Sequence, residues 1–184
     1  MSTQPLEQAI AVTRGVLANV TPAQLGDPTP CESWDVAALI NHIVGAHHFF
    51  LAGLSGKPPA ASADYAAGDF VAAYDEVSAG VLAAFGADGV MERMITMPFG
   101  EMPGAAVLGL AMTDTFQHGW DLAKATGQST DLAPELAAAL LDRAKAMISP
   151  AFRGPEGAPF GAEQVAPDGA SAADQLAAFL GRSV

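Results

Sequence analysis

Apolar residues recur at mixed three- and four-residue spacing through most of this chain, and clusters of proline and glycine cut the pattern into helix-length pieces. From Gln4 to Val20, Leu6, Ile10, Leu17 and Val20 share one stripe before Thr21, Pro22 and the stretch from Gly26 to Pro30 interrupt it. Ser33 or Asp35 is a suitable cap for a second helix reaching about Leu54, where Gly56, Pro58 and Pro59 stop it. A third runs from Asp64 to about Phe85, with Phe70, Tyr74, Val77, Val81 and Phe85 facing a core. Near residues 90–103 the period shifts toward two, because Met91, Arg93 and Ile95 alternate with Glu92, Met94 and Thr96, and Pro98, Phe99, Gly100 and Glu101 read as a turn. Helical spacing resumes from Ala105 to Thr126 and ends at Gly127; Asp131 then caps a fifth helix to about Ile148. After the Pro- and Gly-rich tract from Pro150 to Gly169, a short last helix covers Ala172 to Leu180.

These pieces predict an all-α chain, a four-helix bundle with a short β excursion and a short C-terminal helix. The 184 residues fit one domain, 1–184, with 150–184 as a segment wrapping the bundle through Phe152, Phe160 and Val165. A bundle interior is a place where side chains of facing helices can hold a metal.

Eight Lys and Arg against 20 Asp and Glu give a formal charge of −12, which repels phosphate backbones and anionic membranes. Nucleic acid and membrane are therefore not expected as partners, and a small molecule is. The nearest thing to a spanning segment, AALINHIVGAHHFFLAGL, carries Asn41, His42, His47 and His48 and reads as a packed helix. The N-terminus has no basic region ahead of an apolar stretch, so the expected location is cytoplasmic. One cysteine, Cys31, rules out an internal disulfide. No glycine-rich dinucleotide loop and no G-x-S-x-G elbow is present. An alanine-rich helical surface suits either a monomer or a homodimer.

Chemistry concentrates at three residues. Asp114 and His118 are four apart and project from one face of a helix, and His42 on another helix can reach the same point, giving two imidazoles and a carboxylate for one divalent ion. The plainer alternative is a hydrogen-bonded core histidine beside an intrahelical pair. Asp121, three residues from His118, falls near the same face and can orient a ligand. Trp34 and Trp120 border these segments and are pocket candidates, although large aromatics in helices serve mostly in packing. His47 and His48 lie about 140 and 120 degrees round the helix from His42 and are expected outside the metal site, with His47 facing solvent. Cys31 is expected as a small buried packing residue. If a substrate carboxylate needs a fixed guanidinium, Arg153 and Arg182 are the cations after Ile148.

The stretch TPCESWDVAALINHIVG followed by HGWDLAKATG resembles the DinB-like superfamily of metalloenzymes, and within it the N-terminal, metal-binding domain of mycothiol-dependent maleylpyruvate isomerases. The resemblance covers about Gln8 to Ser149. It implies a bundle of four main helices holding a divalent ion, zinc or nickel, with mycothiol as cosubstrate, and it matches the metal ligands to His42, Asp114 and His118. The isomerases carry glutamate where this chain has the shorter Asp114. Three functional readings follow: a thiol-dependent transferase or isomerase acting on a small electrophile, a non-catalytic metal- or ligand-binding detoxification module, and a structural helical protein with a vestigial site.

Overall fold

The computed structural model describes residues 2–58, 61–154 and 160–184. Local chemistry sets the helix starts. The Asp35 carboxylate accepts from the Ala38 amide at 2.8 Å and opens α2 (Val36–Ser55), which ends at Gly56 in the left-handed conformation. Asp69 does the same for Ala72 at 2.9 Å and opens α3 (Phe70–Phe85). The bundle consists of α1 (Gln4–Leu17), α2, α3 and α4 (Gly104–Ala125), with α1 against α4 and α3, and α2 against α3 and α4. Between α3 and α4 a hairpin of β1 (Met94–Met97) and β2 (Gly100–Pro103) pairs Ile95 with Met102 and Met97 with Gly100. The change of period therefore marks a real hairpin, but Gly100 and Glu101 are paired in β2, so the turn is confined to Pro98 and Phe99.

Several sequence expectations at the later helices and the tail need correction. Asp131 does not cap the fifth helix: α5 runs Pro134–Met147, its N-cap is Ala133, and the fixed φ of Pro134 suits a first helical position. Ala133 itself sits at φ 35, in the left-handed region that a non-glycine residue rarely adopts. The C-terminal helix, α6 (Ala172–Phe179), is capped by Ser171, whose hydroxyl accepts from the Asp174 amide. It packs on α5 and α4, burying Leu176, Ala177 and Leu180. Trp120 is completely buried in α4, and its indole N–H donates to Asp174 Oδ1 at 2.9 Å, tying α6 to the bundle. Trp120 thus serves packing and anchorage rather than lining the cavity described below. Of the three residues expected as tail anchors, Phe160 packs on the core, whereas Phe152 is half exposed and Val165 is 95% exposed.

Helix α2 is apolar on almost every side, and by length and composition alone it could cross a membrane. Its place in the bundle explains that composition, since α3 and α4 both pack against it. His47 is accordingly buried, not solvent-facing: one ring nitrogen, Nδ1, sits 2.9 Å from Ser78 Oγ and the other, Nε2, 2.9 Å from Thr115 Oγ1. The ring lies against Tyr74, and burial pushes its pKa down to about 4 despite the attraction of Asp114. Nearby, Thr13 Oγ1 donates to Thr115 O where Gly119 lets α1 come close to α4.

Candidate functional site

Helix geometry brings the three predicted ligands together. His42 comes from α2, Asp114 and His118 from successive turns of α4, and one ligand atom from each lies within 4.8 Å of the other two. Asp114 Oδ1 is 3.7 Å from His42 Nε2 and 3.7 Å from His118 Nε2, and the imidazole centroids are 4.4 Å apart. Those nitrogens are too far from the carboxylate for good hydrogen bonds. His42 Nε2 is buried and has no hydrogen-bond partner among the described residues. Donors around a tetrahedral zinc-type ion are about 3.4 Å apart, so a 3.7 Å spacing closes on such an ion with a small adjustment. An orphaned buried nitrogen facing a carboxylate and a second imidazole fits a divalent cation and is poorly explained by packing alone.

His118 is oriented from behind. Its Nδ1–H donates to Asp121 Oδ2 at 3.0 Å, which fixes the tautomer and leaves Nε2 facing Asp114. Asp121 is fully buried and also accepts from Arg182 Nε at 3.1 Å, Arg182 Nη2 at 3.0 Å, Gln117 Nε2 at 3.2 Å and the Cys31 thiol at 3.3 Å. Burial alone would raise the Asp121 pKa, but the hydrogen bonds from His118 and Arg182 outweigh it and bring it down to about 2. For His118, burial favours the neutral ring, yet the Asp121 hydrogen bond, the Cys31 contact and the charges of Asp114 and Asp121 carry it up to about 10. Asp114 behaves similarly: burial opposes its charge, while His42 and His118 hold the carboxyl below its ordinary value.

Asp121 was legible from its spacing to His118, but Arg182 and Cys31 as its partners were not. Arg182 sits 61 residues beyond Asp121, and Cys31 sits 90 before it. Gly181, at φ +97, turns the chain after α6, and the Arg182 amide donates back to Ala177 O. Cys31 is partly exposed, with Arg182 Nη2 3.7 Å from its sulfur, so it is a polar neighbour of Asp121 and not a buried packing residue. Arg153 is engaged elsewhere, donating to Gly161 O and Phe179 O and lying over the Phe179 ring. Trp34 borders the site, its ring 4.5 Å from His42 and 5.8 Å from His118. His48 points away and stacks on Tyr65.

Above the triad opens a cavity of about 570 Å³, within the range of small-molecule sites. His42, Asp114, His118, Gln117 and Arg182 reach it, and Phe49, Phe99 and Phe160 form much of its wall.

Comparison with known proteins agrees with this geometry. The family model described as the mycothiol maleylpyruvate isomerase N-terminal domain matches residues 6–123. Two uncharacterised proteins of Mycobacterium tuberculosis, from strains CDC 1551 / Oshkosh and ATCC 25618 / H37Rv, are each 45% identical over 186 aligned positions, covering 100% of this chain and 97% of the relative. The crystal structure of the mycothiol-dependent maleylpyruvate isomerase superposes with a TM-score of 0.55 at 15% identity, covering 75% of this chain. At that identity the match speaks to the DinB-like fold, and the chain spans 65% of the length of that protein.

Proposed function

Because the chain belongs to the mycothiol maleylpyruvate isomerase N-terminal domain family, we propose that it binds a divalent metal through His42, Asp114 and His118 and uses it to engage a low-molecular-weight thiol, mycothiol by family, for reaction with a small electrophile. The observation that carries this reading is His42 Nε2, buried without a hydrogen-bond partner among the described residues, which faces Asp114 and His118 where the cavity begins. When bound, a zinc- or nickel-type ion supplies Lewis acidity, favouring the thiolate over the thiol at neutral pH. The protein residues do the rest. Metal binding would displace the second proton of His118, so two neutral imidazoles and one carboxylate would hold a divalent ion with a net charge of about +1 beside the cavity. Asp121, charge-paired with Arg182, holds the His118 ring in the ligating tautomer. The phenylalanine side chains give the cavity an apolar wall beside the reacting groups.

Addition of a thiol across an activated double bond forms one S–C bond and places the thiol proton on the adjoining carbon. Elimination reverses both changes, and rotation between the two steps converts a cis isomer to trans. A transferase would stop after addition. Isothermal calorimetry with mycothiol on metal-loaded and EDTA-treated protein tests the reading, with S-methyl mycothiol as a control that has no ionisable thiol. Binding of the free thiol to the loaded protein alone is expected; equal binding to the metal-free protein, or of the S-methyl compound, overturns it.

A further inference from the structure

Packing does not account for one glycine inside α2. Gly53 and Gly119 let Met97 and Thr13 approach the helix backbone, whereas a Cβ at Gly45 would meet nothing within 4 Å. Glycine weakens a helix interior, and at Gly45 no close approach of another element offsets that cost. What Gly45 borders is space. It lines the cavity above His42 and Asp114, and it also lines a second cavity of about 200 Å³. Phe49, one turn further along α2, lines both as well. The two cavities are therefore neighbours across one strip of α2, and the missing Cβ keeps the saddle between them low.

The second cavity differs in character from the first. Asn41, His48, Ser62 and Tyr65 bring amide, imidazole and hydroxyl groups to it, and its lining among the described residues includes no Lys, Arg, Asp or Glu. Its wall is held in place. Asn41 Nδ2 donates to Asp64 Oδ1 at 3.0 Å, and Asn41 Oδ1 accepts from the Ala66 amide at 3.0 Å, which pins the turn carrying Tyr65 to α2. The Tyr65 and His48 rings are nearly parallel, 14° apart with centroids at 5.6 Å, and form an aromatic wall. Aromatic faces beside hydroxyl and imidazole groups, without a fixed charge, suit an uncharged ring that has apolar C–H faces and hydroxyls at its edge.

We infer that the second cavity binds a hydroxylated ring carried by the thiol cosubstrate, whose cysteine end crosses Gly45 to reach His42, Asp114 and His118. The assignment rests on the metal-and-thiol reading above. His48 lies six residues beyond His42, about 9 Å along the helix axis, a distance that a cysteine amide-linked to a sugar spans from its sulfur to the sugar ring. Tyr65 and His48 are then the residues that tell a sugar-bearing thiol from a bare one, and the larger, more apolar cavity is left for the electrophile.

Mycothiol and N-acetylcysteine amide share a thiol end, and only mycothiol carries the sugar. By calorimetry on zinc-loaded protein, mycothiol binds at least about 10-fold more tightly, and Tyr65→Ala and Gly45→Leu each bring the ratio of the two affinities to within about twofold of one. Leucine favours helix over glycine and its Cβ has room at position 45, so that variant keeps the fold, with zinc content and helical circular dichroism as the check. A wild-type ratio near one, or a variant that weakens both thiols alike or neither, overturns the assignment and leaves the metal-and-thiol reading standing. If neither thiol binds the zinc-loaded protein, that underlying reading fails and the assignment falls with it.

Discussion

Acid should destabilise this bundle through one residue, His47. In the folded chain its ring is buried between Ser78 and Thr115 against Tyr74, and its pKa falls to about 4 from the ordinary 6.5. Between those values the unfolded chain takes up a proton that the folded chain refuses, so stability is full above pH 6.5 and drains away as the pH falls toward 4. At about 1.4 kcal/mol per pH unit, the gap corresponds to about 3 kcal/mol, a large fraction of the roughly 5 to 15 kcal/mol that holds a domain together. The other strongly perturbed groups act outside this window. His118, raised to about 10, costs stability only as the pH rises above 6.5, and Asp121, lowered to about 2, costs it only below about 4. Urea unfolding of metal-free protein in EDTA at pH 7, 6, 5 and 4.5, beside His47→Gln, isolates the effect. The wild-type stability should fall with acid on a slope that the glutamine variant lacks, approaching about 3 kcal/mol of difference in slope-integrated loss by pH 4. Parallel curves for the two proteins would refute the reasoning, because His47 would then titrate alike in both states.

Arg182→Met should lower zinc affinity about 10- to 100-fold in a chelator competition, because Asp121 loses the partner that holds it against His118; Arg182→Lys should recover part of the loss. Unchanged affinity in the methionine variant would show that Arg182 does not act on the site. Gly119→Ala should destabilise the fold by about 1 to 3 kcal/mol in urea unfolding, since a Cβ there would collide with Thr13 at the α1–α4 crossing. A loss below about 0.5 kcal/mol would mean that the two helices separate at little cost.

The bundle was legible because each helix announces itself through spacing and punctuation: Asp35 caps α2, Gly56 ends it, and Gly127, at φ +68, follows α4. The convergence of His42, Asp114 and His118 was legible as well, two of them through i, i+4 spacing and the third through its place on α2. What escaped were contacts that no local pattern encodes. Arg182 reaches Asp121 only because α6 folds back on α4 and α5 and Gly181 turns the chain there. His47 was misplaced for a different reason. Its angular distance from His42 was right, but the largely apolar composition of α2 leaves little of it for solvent, and His47 falls on the side between Ser78 of α3 and Thr115 of α4. At α5, the capping preference of Asp131 lost to Pro134, whose fixed φ suits the first helical position and sets the start three residues later.

Native mass spectrometry of untagged protein after zinc loading and desalting, run beside His42→Ala and His118→Ala, tests the central claim most directly. One zinc per chain is expected in the wild type and none in either variant, with helical circular dichroism retained because the apolar faces of α1 to α4 supply most of the stability. A wild type that retains no zinc, or a full zinc complement in either variant, would contradict the account.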